Sequence, residues 1–366
     1  MIPANPPPRA PGPATRLGRL PLALRWLVLC AVSLVFLVVL ELVGLPAALL
    51  LGPMVGGILC GLGGCGLALP GLPYRLAQAL VGCMVAQTLT TPVLREIAGR
   101  WPIFVLGVFS VIAAAMALGV LLARARVLPG TTALWGSSPG GASAMTIMSA
   151  QYGADQRLVA LMQYSRVLVV ASAAAAVAQY VTGGQGGTQV HGWLEMPRAV
   201  PFLQTLALAA GSVLVAAKVR IPSGPLLLPI FVGSTLNNLG IIEIEVPQLL
   251  LALGYAAIGW GVGLRFDREV IGHAARALPR VVLMIVTLVA ICAGFAFLLV
   301  EFAGIDPLSA YLATSPGGLD AVAVIAASAK VDVAFVMAMQ TARAVVVILC
   351  GPWITRIAVR WTGHRG

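Results

Sequence analysis

Two arginines lie far inside apolar stretches of this chain, about ten residues from the nearest polar border: Arg166 and Arg343. A charged side chain in the middle of a membrane span costs about 2.5–3.5 kcal/mol on insertion scales. Such a residue therefore indicates a partner group or ligand that it binds. Each arginine is preceded three residues earlier by a glutamine, Gln163 or Gln340, on the same helix face. The pattern indicates an anion-binding pair. An alternative is that each arginine hydrogen-bonds backbone carbonyls or pairs with Asp320.

A Ser-Pro-Gly-Gly motif accompanies each arginine, at 138–141 and again at 315–318. Proline removes an N–H and glycine permits close approach, so each motif predicts a break whose resuming helix presents free N–H groups to an anion. A purely structural kink is the alternative. The predicted substrate-binding residues are Ser138, Gly140, Gly141, Ser143, Gln163, Arg166, Thr314, Ser315, Gly317, Gly318, Gln340 and Arg343.

Three acidic residues lie near the motifs. Asp320 stands where the first copy has Ser143, and it is a candidate for coupling to H⁺ or Na⁺, or a fixed counter-ion to one of the arginines. Asp155 and Asp332 lie at the start of the next helix and are expected to cap it. Asn237 and Asn238 are weaker candidates, either as caps or as ligand residues.

The two motifs are parts of a longer duplication. At a constant offset of 177 residues, Ser-Pro-Gly-Gly, an aspartate and Gln-x-x-Arg recur together, and prolines align at an offset of 176. Such a repeat is the sequence signature of transporter folds with a site at the midplane between two halves.

Composition sets the protein class. Hydrophobic residues make up 60% of 366 residues, charged residues 10%, and mean hydropathy is +0.98, which predicts a polytopic membrane protein. The apolar runs lie at about 26–45, 46–66, 74–93, 102–123, 157–180, 202–219, 222–241, 248–264, 280–300 and 333–355. The predicted organisation is a Pro/Arg-rich tail at 1–25, repeat 1 at 26–180, a polar linker at 181–198, repeat 2 at 199–360 and a short tail at 361–366.

The segments that carry Ser-Pro-Gly-Gly either cross the membrane as broken helices or re-enter. Their arms are too short to span a core of about 30 Å. If both re-enter and the N-terminus is inside, seventeen basic residues collect on the inner face and four on the outer face: Arg95, Arg100, Arg198 and Lys330. The charge distribution therefore predicts an all-α fold of two inverted repeats of about five spans each plus two re-entrant segments, with both termini cytoplasmic.

Other protein classes find little support. The +11 charge is spread over several short loops rather than one basic patch, which argues against a nucleic-acid partner. The six cysteines and three histidines have no metal-ligand or disulfide spacing, so no metal, cofactor or disulfide is expected. No phosphate loop, nucleophile elbow or dinucleotide fingerprint is present, so we do not expect an enzyme.

The repeated unit resembles the bacterial membrane family called AbrB-type, which also carries the label "putative ammonia monooxygenase". The resemblance runs from about Trp26 to Arg360 and rests on Ser-Pro-Gly-Gly, Gly153-Ala154-Asp155 and Gln-x-x-Arg. The family is similar in layout to inverted-repeat exchangers and anion symporters with unwound core helices. The monooxygenase label requires a metal or flavin site that this sequence lacks. A namesake family of regulators consists of small soluble DNA-binding proteins and does not fit ten spans.

These patterns predict an inner-membrane secondary transporter of a small anionic solute, coupled to an ion gradient because no ATP-binding motif is present. The alternative is a non-transporting membrane protein with an indirect regulatory effect on gene expression. The sequence leaves open the substrate, the direction of transport, the coupling ion and the choice between monomer and homo-oligomer.

Overall fold

The structure is a computed structural model that describes residues 17–43, 48–125, 128, 131–138, 145, 149, 154–182, 197–219, 224–266, 268, 272 and 277–361. The regular structure in these ranges is helical, without strands, so the predicted all-α class is confirmed. Three predicted site residues, Gly140, Gly141 and Ser143, lie outside the described residues.

Most of the described helices have a counterpart in the other copy. After a 3₁₀ turn at Leu17–Arg19, the first copy contains α1 (Leu22–Leu42), α2 (Ala48–Leu62), α3 (Gly71–Thr88), α4 (Thr91–Gly99), α5 (Trp101–Arg124), α6 (Thr132–Ser137) and α7 (Gln156–Thr182). The second contains α8 (Ala199–Val219), α9 (Gly224–Leu228), a π turn (Pro229–Gly233), α10 (Ser234–Asn238), α11 (Gln248–Gly263), α12 (Leu278–Ala303), α13 (Pro307–Thr314), α14 (Leu319–Ser328) and α15 (Val333–Trp361).

Several of these helices have the properties of membrane-spanning segments. Five have the length and apolar composition to cross one: α1, α5, residues Leu158–Val181 of α7, α8 and α12. Two shorter apolar helices, α2 and α11, have 15 and 16 residues. The chain is thus a multi-pass membrane protein by the length and composition of its helices. The full count of ten spans stays a prediction.

Helix contacts divide the fold into two bundles, and each copy contributes to both. The first bundle packs α1, α2, α3, α8, α9 and α11 against one another, and the second packs α5, α6, α7, α12, α13, α14 and α15. The second bundle contains Ser138, the first residue of the first Ser-Pro-Gly-Gly motif, and the whole of the second motif. The motifs are therefore brought together by packing between copies and not only within one copy.

Two glycines pack the copies against each other in the first bundle. A Cβ on Gly82 would lie 2.5 Å from the carbonyl oxygen of Leu226, and a Cβ on Gly259 would lie 2.5 Å from that of Leu50. Gly259 is Gly82 plus 177 residues, and Leu226 is Leu50 plus 176. The two contacts are equivalent and are exchanged between the copies, and only glycine permits the helices to approach so closely.

A hydrogen bond joins the two ends of each segment that carries a motif. Thr132 at the start of α6 accepts a hydrogen bond on Oγ1 from the amide of Asp155, just before α7 (3.0 Å). Ser309 in the first turn of α13 accepts one on Oγ from the amide of Asp332, just before α15 (3.0 Å). We call these two bonds the clasps.

The aspartates of the clasps also cap the following helices, as the sequence predicts. Asp155 Oδ1 accepts from the amide of Leu158 (3.2 Å) and Asp332 Oδ1 from that of Phe335 (2.9 Å). In both cases the bond reaches the third residue of the helix, the usual geometry of a side-chain N-cap.

Candidate functional site

The break in the second copy is held by Arg343 and Gln340 of α15. Arg343 Nη1 donates to Ser315 O (2.5 Å), and Nη2 donates to Gly317 O (2.9 Å) and to Gln340 Oε1 (2.5 Å). Gln340 Nε2 donates to Leu312 O (2.7 Å) and to Ser315 O (3.2 Å). The two side chains thus bind three carbonyl groups around the end of α13.

Arg166 and Gln163 of α7 make the corresponding contacts in the first copy. Arg166 Nη1 donates to Ser138 O (3.0 Å), with a longer contact to Ser137 O (3.4 Å), and Nη2 donates to Gln163 Oε1 (2.8 Å). Gln163 Nε2 donates to Trp135 O (2.9 Å) and Ser138 O (3.0 Å). Trp135 and Ser138 are the positions of Leu312 and Ser315 minus 177, so the network itself is duplicated.

The local sequence explains why these carbonyls are free. Ser138 and Ser315 end their helices in an extended conformation, with ψ of 125° and 134°. The next residue is proline, which has no N–H and disfavours helical backbone in the residue before it. Carbonyls left unpaired in an apolar interior are costly, and Arg and Gln supply the missing donors. The alternative in which the arginines hydrogen-bond the break is therefore observed.

Both arginines are buried, and no described carboxylate pairs with them. Arg166 is 3% exposed and Arg343 is 6% exposed. Within the described residues their hydrogen-bond partners are carbonyl and amide oxygens, and neither forms an ion pair. Val170, one turn after Arg166 in α7, packs on Gly317, whose carbonyl oxygen binds Arg343. Two positive charges therefore share one buried region, which favours an anion.

Packing brings the second break against the helix that carries the first arginine. A Cβ on Gly317 would lie 3.0 Å from Val170 Cγ1, and one on Gly318 would lie 3.4 Å from Val167 Cγ2. Both valines belong to α7 and lie within four residues of Arg166. The two networks are thus neighbours across the interface between the copies.

Nine of the predicted site residues are accordingly in or beside the two networks: Ser138, Gln163, Arg166, Thr314, Ser315, Gly317, Gly318, Gln340 and Arg343. Thr314 Oγ1 donates within its own helix and towards Cys292 O (3.2 Å), so its hydroxyl ties α13 to α12. Asp320 is the second residue of α14, and its side chain is outside the described part.

Other polar groups around the networks were not predicted. The clasp hydroxyls of Thr132 and Ser309 and the Cys292 thiol are the clearest examples. Thr132 and Ser309 are related by the offset of 177, so extending the alignment upstream of the motif would have found them. Cys292 has no such signal, because cysteine is common in apolar runs.

Asn238 acts as a cap between the copies. Its Oδ1 accepts from the amide of Thr91 at the start of α4 (2.7 Å), and its Nδ2 donates to Leu89 O (2.7 Å). These bonds agree with the interpretation of this asparagine as a cap rather than a ligand residue.

An exposed charged cluster lies at the start of α8. Arg198 pairs with Glu243 and with Glu245 (3.1 Å), and the hydrogen bond to Glu243, then that to Glu245, raise the pKa of Arg198. A shallow depression beside it is lined by Gln204 and Asn237, and none of the predicted substrate-binding residues contributes to it.

Comparison with known proteins decides the family. Residues 49–359 match the family model described as transition state regulatory protein AbrB. The chain belongs to the AbrB family. It is 47% identical over 344 residues to the "Putative regulator AbrB" of Escherichia coli strain K12, covering 93% of this chain and 99% of that protein. No solved structure matches the chain significantly.

The chain is also similar to a second, more distant protein. "Uncharacterized protein YhjN" of Bacillus subtilis strain 168 is 25% identical over 307 residues, covering 79% of each chain. The predicted resemblance to this membrane family is confirmed. The word regulator occurs in the descriptions of the family and of the Escherichia coli protein. The two hydrogen-bond networks of this chain are of a kind typical of a membrane interior.

Proposed function

We propose that this AbrB-family protein is a secondary transporter of a small anionic solute in the bacterial inner membrane. The observation that carries the proposal is the pair Arg166 and Arg343, two buried guanidinium groups on either side of the contact between α7 and the second break, with no carboxylate partner within the described residues. A buried charge without a partner is strongly unfavourable. Two such charges in a membrane protein are therefore expected at a place where an anion binds.

Three hydrogen bonds support re-entry of the first motif segment over crossing. Gln179 near the end of α7 donates to Val43 O (2.6 Å), just after α1. If the N-terminus is inside and the first motif re-enters, both residues lie on the outer face. If that segment crossed, the membrane would separate them.

The other two bonds test the orientation of the second copy in the membrane, which depends on whether the first segment re-enters. Arg268 Nε donates to Leu62 O (2.5 Å), and Asn238 binds Thr91. Re-entry of the first segment puts Arg268 and Leu62 inside and Asn238 and Thr91 outside. Crossing would place the partners of each bond on opposite faces.

The clasps and one aromatic contact support inversion of the copies. Asp332 at the start of α15 bonds Ser309, which follows the end of α12 by six residues, so α15 begins where α12 ends. Phe335 packs on Phe104 with ring centroids 5.3 Å apart, so α15 also begins where α5 begins. The equivalent helices α5 and α12 therefore run in opposite directions, as inverted repeats require.

In this arrangement the two breaks and the two arginines form one site between the copies near the midplane. Alternating access would come from movement of the bundle that holds the breaks against the bundle of α1, α2, α3, α8, α9 and α11. Asp320 in the first turn of α14 is the proposed group for H⁺ or Na⁺ coupling, and both termini are cytoplasmic. The negative charge of the solute would offset the two guanidinium charges on binding.

The proposal is tested by solute-dependent thermal stabilisation of the purified protein, with small carboxylates, amino acids and amines, followed by flux into proteoliposomes of any solute that stabilises. An anion should raise the apparent Tm and be transported, and both effects should disappear in Arg166→Ala and Arg343→Ala. Stabilisation by amines alone, or binding of an anion without flux under any ion gradient, would contradict anion transport.

A further inference from the structure

The two networks contain the same residues but differ in the hydrogen-bond donors left unused. Both Nη2 protons of Arg343 have an acceptor, Gly317 O and Gln340 Oε1. Arg166 Nη2 has one acceptor, Gln163 Oε1, and Arg166 Nε is buried with no partner within the described residues. A guanidinium has five N–H donors, so among the described contacts Arg166 retains Nε–H and one Nη2–H; Gly140, the position equivalent to Gly317, lies outside the described residues.

The serines of the breaks show the same difference. Ser315 Oγ donates to Leu312 O (3.0 Å) and receives a long contact from Gln340 Nε2 (3.4 Å). Ser138 Oγ is fully buried and has no partner within the described residues. Its own carbonyl is bound to Arg166 Nη1, so the hydroxyl belongs to the residue that Arg166 holds.

The chemistry of this unused set favours a carboxylate. Nε and Nη2 lie on one edge of the planar guanidinium, and parallel N–H donors on such an edge match the two oxygens of a carboxylate. A hydroxyl beside them adds a third donor. Unused donors in a buried site are costly unless a ligand satisfies them.

We propose, resting on the transport function above, that the two copies divide the work: Arg166 and Ser138 bind a carboxylate of the solute, whereas Arg343 and Ser315 hold the second break. The duplication thus supplies one binding half and one bracing half. The positive charge of Arg343 still assists binding at a distance, but its side chain makes no direct hydrogen bond to the carboxylate.

The chain offers matched pairs of variants for the test: Ser138→Ala against Ser315→Ala, and Arg166→Lys against Arg343→Lys. Affinity is measured by the rise in apparent Tm of detergent-purified protein titrated with acetate, pyruvate or succinate against NaCl at equal ionic strength. Lysine keeps the charge but loses the two-donor edge.

We expect at least one carboxylate to stabilise the wild type, with about tenfold weaker affinity in Ser138→Ala and no saturable shift in Arg166→Lys. Ser315→Ala and Arg343→Lys should lower the Tm of the free protein and should weaken the affinity much less than Ser138→Ala and Arg166→Lys do. If Arg166→Lys does not fold, the serine pair alone gives the comparison.

Equal loss of affinity in both members of a pair, or a loss confined to Ser315→Ala and Arg343→Lys, would overturn the division of work. If a non-carboxylate anion stabilises and is lost in Arg166→Ala, the carboxylate class is wrong while anion transport stands. If no solute of any class stabilises or is transported, the proposed function falls as well.

Discussion

Ala77 and Gly254 pack against each other although they occupy the same position in the two copies of the repeat. A Cβ on Gly254 would lie 3.8 Å from the Cα of Ala77, and the two numbers differ by 177. A contact between equivalent positions is expected close to a two-fold axis that relates the copies. The exchanged contacts of Gly82 and Gly259 lie on the same two helices, α3 and α11.

The first prediction concerns these exchanged glycines. Gly82→Ala and Gly259→Ala each place a methyl group 2.5 Å from a backbone carbonyl oxygen of the other copy. Because the obstacle is backbone, the helices must move apart, and we expect a loss of about 1–3 kcal/mol and a clear fall in apparent Tm.

The control for the glycine variants is Gly294→Ala in α12, where the added methyl group meets nothing within 4 Å. Its Tm should be unchanged or slightly higher, because alanine favours helix over glycine. If the Tm of Gly294→Ala falls as far as that of Gly82→Ala, the close approach of the helices does not explain why glycine is required at position 82.

The second prediction concerns the glutamines of the two networks. Gln163→Leu and Gln340→Leu each remove two donated bonds to carbonyls and the acceptor of one arginine proton. Individual hydrogen bonds are worth about 1 kcal/mol or less in membrane proteins, so each variant should lose about 1–3 kcal/mol.

Thermal unfolding in detergent measures these effects, with Gln204→Leu as the control. Gln204 accepts a bond from the exposed Glu243 amide outside both networks. Similar losses in Gln163→Leu and Gln340→Leu, well above that of the control, are expected. A loss in only one copy would contradict the equivalence of the networks.

The third prediction concerns the aspartate caps. Asp155→Ala and Asp332→Ala each remove a side-chain acceptor from the third residue of α7 or α15, which costs about 0.5–2 kcal/mol. Asparagine also caps well, so Asp155→Asn and Asp332→Asn should retain most of the stability. If the asparagine variants fall as far as the alanine variants, the carboxylate charge and not the cap is what matters.

Much of this site can be predicted from the sequence, because a pattern that recurs at the same offset in both copies is rarely a coincidence. Ser-Pro-Gly-Gly, Gln-x-x-Arg and the capping aspartates recur at one offset, and the serine of each motif, the arginine and the aspartate make equivalent contacts in the structure. The apolar runs likewise locate the main helices, although α1 begins at Leu22, four residues before the predicted run.

Other features depend on tertiary packing that no local pattern encodes. The role of Gly82 follows only from the distance to a carbonyl in the other copy. The different hydrogen bonding of Arg166 and Arg343 is also invisible in the sequence, because the motifs around them are the same. The difference arises where Gly317 O accepts a proton that has no described counterpart in the first copy.

The fourth prediction is topological and follows from the clasps. If each motif segment returns to its starting face, its two ends must react with a membrane-impermeant thiol reagent from the same side. In a cysteine-free background, Asp306→Cys before α13 and Lys330→Cys after α14 are both exposed and should be labelled from outside intact cells. Arg280→Cys at the start of α12 should react only in inverted vesicles, because α12 lies between it and Asp306.

The labelling of Lys330→Cys separates the two topologies. A crossing segment would place residue 330 on the face opposite residue 306, so the two would never be labelled from one side. Prior reaction with a permeant reagent should block both positions, which shows that they are accessible in the folded protein. Labelling of Asp306→Cys and Lys330→Cys from opposite sides would contradict the re-entrant arrangement and, with it, the convergence of both breaks at one site between inverted copies.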